Sequence, residues 1–154
     1  MRKLLVLVSL PLLAAAPVRV KVIQAAVTWG AGVEPKGTMP TGHFEAQMLL
    51  TGRNVPQKPV FRVWRVKIGD FPGLDSGKGK LPAMRKASRL DVLAIPSTGG
   101  TWVIQGVWAS APESNDRLVV EVLAGARHLG WACAAVSEQF LQGFEKRPIT
   151  GREE

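Results

Sequence analysis

The chain has a single cysteine, Cys133, and its setting is the first place to look for chemistry. A helix-patterned apolar segment over residues 117–126 leads into a short strand-like stretch, His128, Leu129, Gly130, Trp131 and Ala132, which the cysteine ends. A second helical pattern begins at once. The large apolar residues Val136, Phe140, Leu141 and Phe144 recur at i, i+4, i+5 and i+8, on one face of a helix. This order predicts a strand-to-helix elbow with the thiol over the N-terminal end of the helix. Unpaired N–H groups and the helix dipole there favour thiolate, the nucleophilic form of cysteine. The competing reading is that a lone cysteine is a small buried hydrophobe.

A nucleophile needs elements to hold it and donors to face it. Residues 90–96 read as apolar on both faces, as a central parallel strand must be, and Ser97, Thr98, Gly99 and Gly100 follow as a tight loop. A strand, a Gly-Gly loop, a helix, a strand and a cysteine elbow form a βαβ unit whose site lies at the carboxyl end of the sheet. Backbone N–H groups of Gly99, Gly100 and Ala134 are then the candidate oxyanion or ligand donors.

This order and spacing resembles the ThiJ/PfpI superfamily, the class I glutamine-amidotransferase-like domains. Within it the match is to the branch of AraC-type regulator domains and isonitrile hydratases, where a strand ending Asp-x-x-x-x-Pro-Gly-Gly precedes the elbow cysteine. Residues 42–50 (GHFEAQMLL) are similar to the family's first helix, residues 60–68 to its second strand, and Gly143, Phe144, Arg147, Pro148, Ile149 and Thr150 to the stretch that closes the elbow helix. The resemblance implies an α/β fold, a flavodoxin-like three-layer sandwich with a mainly parallel sheet, incomplete at the C-terminus. It implies either small-molecule or redox sensing at Cys133 with little or no turnover, or a cysteine-dependent hydrolase or hydratase of amidase, isonitrile hydratase or glyoxalase-like type.

The departures favour sensing. The family's acid partner falls on Met39, which accepts no proton; Glu34, five residues earlier, is the candidate substitute. His43 stands where the family has proline at the helix start and is the other candidate partner of the thiol, while Glu45 reads as a solvated helix residue. The histidine that follows the segment matching Thr150 has no counterpart. His128 cannot replace it, because five strand residues at ~3.3 Å each put it about 16 Å from Cys133.

Composition sets the remaining limits. A chain of 154 residues with 46% hydrophobic content suits one globular domain. Residues 1–20 are a signal-like segment or an extra N-terminal strand, and residues 21–154 are the single domain. Arg2 and Lys3 precede an apolar run over residues 4–16, too short to make a stable membrane span. Either this is a signal peptide and residues 20–27 form the first core strand, or residues 1–10 are themselves a strand. Pro17 makes a poor cleavage site. A cytoplasmic location is favoured, and a periplasmic one follows if residues 1–16 are removed. One cysteine excludes a disulfide framework within the chain, and no His/Cys cluster has metal-ligand spacing, so neither metal nor cofactor is expected.

The net charge of +8 is concentrated in residues 53–89, which hold ten basic and two acidic residues. Such a stretch attracts anions, but its cations are scattered over a strand and loops, without a helix-turn-helix to enter a groove, so nucleic acid is not an expected partner of this chain on its own. The expected partners are a small-molecule ligand and a second copy or other chain that closes the uncovered sheet face.

Overall fold

The computed structural model describes residues 18–29, 41–109 and 112–140. They form nine strands in two sheets: β1 (Arg19–Trp29), β2 (Thr41–Thr51), β3 (Val60–Lys67), β4 (Ser88–Leu90), β5 (Val92–Pro96), β6 (Thr101–Ala109), β7 (Asp116–Ala124), β8 (Arg127–Ala135) and β9 (Ser137–Phe140). The first sheet has the order β5-β6-β2-β1-β9 and the second β4-β3-β7-β8. Pairing is antiparallel except between β1 and β9, where Ala26 lies opposite Ser137 and Trp29 opposite Phe140. Among the described residues the helical content is three short 3-10 turns, and no helix is long and apolar enough to cross a membrane.

The α/β flavodoxin-like expectation is therefore corrected to a β-sandwich. Residues 42–50 are not a helix: Phe44, Ala46, Met48 and Leu50 face the core while His43 and Glu45 face out, the period of two that a strand requires. Residues 117–124, expected as helix, are β7. Its inward residues Leu118, Val120 and Val122 pack between the sheets, and Val119 and Leu123 are buried as well. A strand covered on both faces reads as a continuous apolar run, and periodicity alone does not separate that from a buried helix. Residues 90–96 are not a central parallel strand either. Leu90 ends β4 in one sheet, Asp91 makes the crossing, and β5 runs as an antiparallel edge strand of the other. The helix expected after the tight loop at residues 97–100 is absent, and the loop turns the chain directly into β6. Two readings agree with the structure: residues 60–67 are a strand, and residues 20–27 lie within β1. Residues 1–10 lie outside the described residues.

The main core lies between the sheets. Val27, Phe44, Ala46, Met48, Ile104 and Trp108 of the five-stranded sheet meet Phe61, Val63, Leu118, Val120 and Val122 of the four-stranded one. At one end of this interface a charged group is buried. Asp116 is 1% exposed and accepts hydrogen bonds from Arg65 Nη2 (2.8 Å), Arg65 Nε (3.3 Å) and the backbone N–H of Glu113 (2.8 Å), with Lys67 Nζ at 2.8 Å. The Arg65 guanidinium in turn lies over the Trp108 ring, 4.6 Å from its centroid, and donates to the carbonyl of Ala109. Burial by itself would raise the Asp116 carboxyl, but the hydrogen bonds from Lys67, Glu113 and Arg65 outweigh it and hold the group below the usual carboxylate value.

Gly106 marks the tightest approach at the β4–β5 crossing. A Cβ added there would stand 2.5 Å from Phe44 Cε1 and 2.7 Å from the carbonyl oxygen of Asp91, and the second of these is backbone that no rotamer change moves. Gly106→Ala is therefore expected to cost about 1–3 kcal/mol, the usual range for overpacking a core, read as a lowered urea midpoint with an unchanged slope.

Candidate functional site

The outer face of the four-stranded sheet is not left to solvent. The connection between β3 and β4, residues 68–87, folds back over it, and Phe71 and Leu74 pack with Trp64, Val66, Val119 and Trp131 in a second core, to which Leu81, Met84 and Cys133 add partly buried surface. Gly73, Gly77 and Gly79 adopt positive φ (81°, 62° and 82°), which lets this loop turn sharply enough to lie flat. It is tied down twice. The Trp131 indole N–H donates to the carbonyl of Gly79 (2.9 Å), and the Arg117 guanidinium donates to both oxygens of Asp75 (2.7 and 3.3 Å).

The loop covers the sheet incompletely and leaves an open cleft of about 380 Å³. Its sheet side is formed by Trp64 of β3, Glu121 of β7 and His128 of β8, and its loop side by Lys80, Leu81, Pro82 and Met84. Glu121 is 9% exposed, and its charge is met from two sides: His128 Nδ1 is hydrogen-bonded to Oε1 at 2.8 Å, and Arg62 Nη1 is 3.8 Å from Oε2. Arg89 of β4 lies over the Trp64 ring, 5.4 Å from its centroid. An apolar wall, an aromatic side and a few convergent polar groups are the composition of a small-ligand site.

Cys133 is not at an elbow. It lies inside β8, opposite Val119 in the ladder with β7, half-buried beneath the loop, and the segment expected as its helix continues to Ala135 in β8 and then forms β9 over residues 137–140. Its Sγ lies 3.9 Å from Asp75 Oδ1. Burial first, and the negative charge of Asp75 second, push the thiol up to about 11 against the opposing pull of Arg117. The expectation of a stabilised thiolate is thus reversed. Cys133 should react with iodoacetamide at neutral pH much more slowly than an unperturbed thiol of pKa ~8.5. Asp75→Asn should bring the thiolate titration, followed by ultraviolet absorbance, to lower pH. A midpoint below ~8.5 in the unmodified protein would contradict this.

The other residues named from sequence are not gathered around the thiol. Gly99 and Gly100 form the turn between β5 and β6 in the five-stranded sheet, while Cys133 is on the outer face of the other sheet. Ala134 is beside Cys133 on β8 but points to the inter-sheet core. His43 is exposed on the outer face of β2, next to Glu45, whose Oε2 accepts from Gln105 Nε2 at 3.0 Å. Glu34 lies outside the described residues, as does Met39.

The residues that do converge were obscured in the sequence for a simple reason. Trp64, Lys80, Glu121 and His128 are separated by up to 64 positions and share no short motif. The signal that existed was local: Leu81, Pro82 and Met84 are apolar residues inside a basic, glycine-rich loop, which marks a loop that packs on something. Among the described residues no group of three or more His, Cys, Asp or Glu side chains is placed to hold a metal ion. The fold and cleft together define a two-sheet β-sandwich whose long β3–β4 connection forms a ligand-sized recess with one of its outer faces. No family model matches the chain, and no curated protein sequence is significantly similar to it.

Proposed function

We propose that the protein is a small-molecule-binding β-sandwich module, which holds its ligand in the cleft between residues 80–84 and the outer face of the four-stranded sheet and performs no covalent chemistry at Cys133. The observation that carries this reading is the cleft itself. Its volume of about 380 Å³ falls within the ~300–1,000 Å³ typical of ligand pockets, and apolar Trp64, Leu81, Pro82 and Met84 surround the hydrogen-bonded Glu121–His128 pair. The sensing or binding class implied by the family resemblance is kept here, with the site moved from the thiol to Trp64. A hydrolase or hydratase reading loses support because its nucleophile is pushed toward the thiol form, and the carboxylate beside it, Asp75, is ion-paired with Arg117.

The test is a fragment screen read by the indole N–H signals of Trp64 and Trp131 in nuclear magnetic resonance. Compounds with an apolar body are expected to shift both signals, Pro82→Trp is expected to block them at the cleft mouth, and Cys133→Ser is expected to leave them unaffected. Binding that survives Pro82→Trp but is lost in Cys133→Ser would overturn the reading.

A further inference from the structure

Resting on that binding reading, we infer that the cleft selects an organic anion, a carboxylate carried on an apolar ring or chain. The charges facing the cleft are unequal. Among the described residues Glu121 is the one carboxylate in its lining, and it is already engaged by Arg62 and His128, so it has little capacity left to recruit a cation. Lys80, at the rim, has no carboxylate partner among the described residues. Arg89 stands over the Trp64 ring, the position of a cation–π contact, and its guanidinium meets no carboxylate there. Asp75, one of the two acids in the basic stretch 53–89, is taken up by Arg117.

The fold therefore brings Lys80 of the β3–β4 loop and Arg89 of β4 to the recess, and the recess itself is apolar. A ligand that satisfies both features carries an apolar body for Trp64, Leu81 and Met84 and an anionic head for Lys80 at the mouth. A neutral ligand of the same shape gains the first contact alone. A cationic one is repelled by Lys80 and Arg89. Because the rim charges are exposed and screened by salt, the selectivity is modest and depends on ionic strength.

Three probes with a common ring separate these terms: naphthoate, naphthylmethanol and naphthylmethylammonium, each titrated into the full chain while the Trp64 indole N–H signal is followed, assigned with a Trp64→Phe variant. Naphthoate is expected to bind roughly fivefold more tightly than the alcohol at low salt, and the ammonium most weakly. Lys80→Gln, at an exposed position, should bring the naphthoate-to-alcohol affinity ratio down to about one, and so should raising salt from about 50 mM to about 500 mM. Equal affinities for acid and alcohol, or tighter binding of the ammonium, would overturn the choice of an anion while leaving the cleft an occupied site. No shift of the Trp64 signal with any of the three would overturn the cleft reading, and this inference with it.

Discussion

Asp116→Ala is expected to lower the stability of the protein by about 3–5 kcal/mol, the cost of breaking a buried ion pair by removing one partner. The carboxylate is 1% exposed and receives Arg65, Lys67 and a backbone N–H, so its removal takes the counter-charge from the guanidinium that lies against Trp108, while Lys67 keeps its second partner, Glu113, at 3.1 Å. Urea unfolding at neutral pH measures the loss, and a value under about 1 kcal/mol, the range of an exposed ion pair, would contradict the account. The pH dependence follows from the sign of the shift. A carboxyl held below its ordinary value contributes stability that is fully present above the unfolded pKa of ~3.9 and disappears as pH falls through the lower folded value. Wild-type protein should therefore lose stability below about pH 4, and Asp116→Asn should lose less over the same interval. Lys67 works in the opposite direction. Burial would lower it, but Asp116 and Glu113 raise it, so its contribution is retained until pH rises beyond the ordinary lysine range.

Trp108→Ala is expected to have an effect of similar size, about 3–5 kcal/mol, which for a chain of this length is a fall in Tm of roughly 10 °C. The indole is fully buried, meets Phe44 edge to face at 6.1 Å, and supports the Arg65 guanidinium from below. Truncation thus opens a large cavity and also removes the surface on which the Asp116 partner rests. Trp108→Phe should be far milder. It keeps a ring against Phe44, and it deletes an indole N–H that is buried with no acceptor among the described residues, a condition that itself costs about 1–3 kcal/mol. If Phe proves as damaging as Ala in chemical denaturation, the N–H has a partner that it needs.

How far the fold could be read from the sequence varies by element, and each case has a physical cause. In residues 42–50 the alternation of Phe44, Ala46, Met48 and Leu50 with His43, Glu45 and Gln47 is a plain strand signal, and the family resemblance draws the same residues toward a helix by position alone. Residues 118–124 carried no such alternation, because both faces are covered, Leu118, Val120 and Val122 by the opposite sheet and Val119 by the loop 68–87. The helical spacing of Val136 and Phe140 spans the break between β8 and β9 and has no structural meaning. The wrong setting for Cys133 followed from that break: a thiol assigned to a helix terminus gains acidity, and the same thiol under a loop beside Asp75 loses it. The basic character of residues 53–89 was legible as composition. That Lys80 and Arg89 stand at an apolar recess was not, since Glu121 and His128 reach it from β7 and β8, about forty residues further along the chain.

The parallel pairing of β1 with β9 bears on how the molecule assembles in time. Ala26 meets Ser137, and the Ser137 hydroxyl donates to the Ala25 carbonyl at 3.1 Å, so a strand made early in synthesis is left with an open edge until the chain has been extended by more than a hundred residues. The four-stranded sheet has a shorter wait, since β3, β4, β7 and β8 all lie within residues 60–135 and its last pair closes through a tight turn at Gly125, whose φ is 60°. A nascent chain therefore completes the cleft-bearing sheet first, while the N-terminal strand waits with unpaired N–H and C=O groups. Pairings of such high sequence separation place folding in the millisecond-to-second range, and the interval before β9 arrives is when this protein is most exposed to intermolecular strand capture.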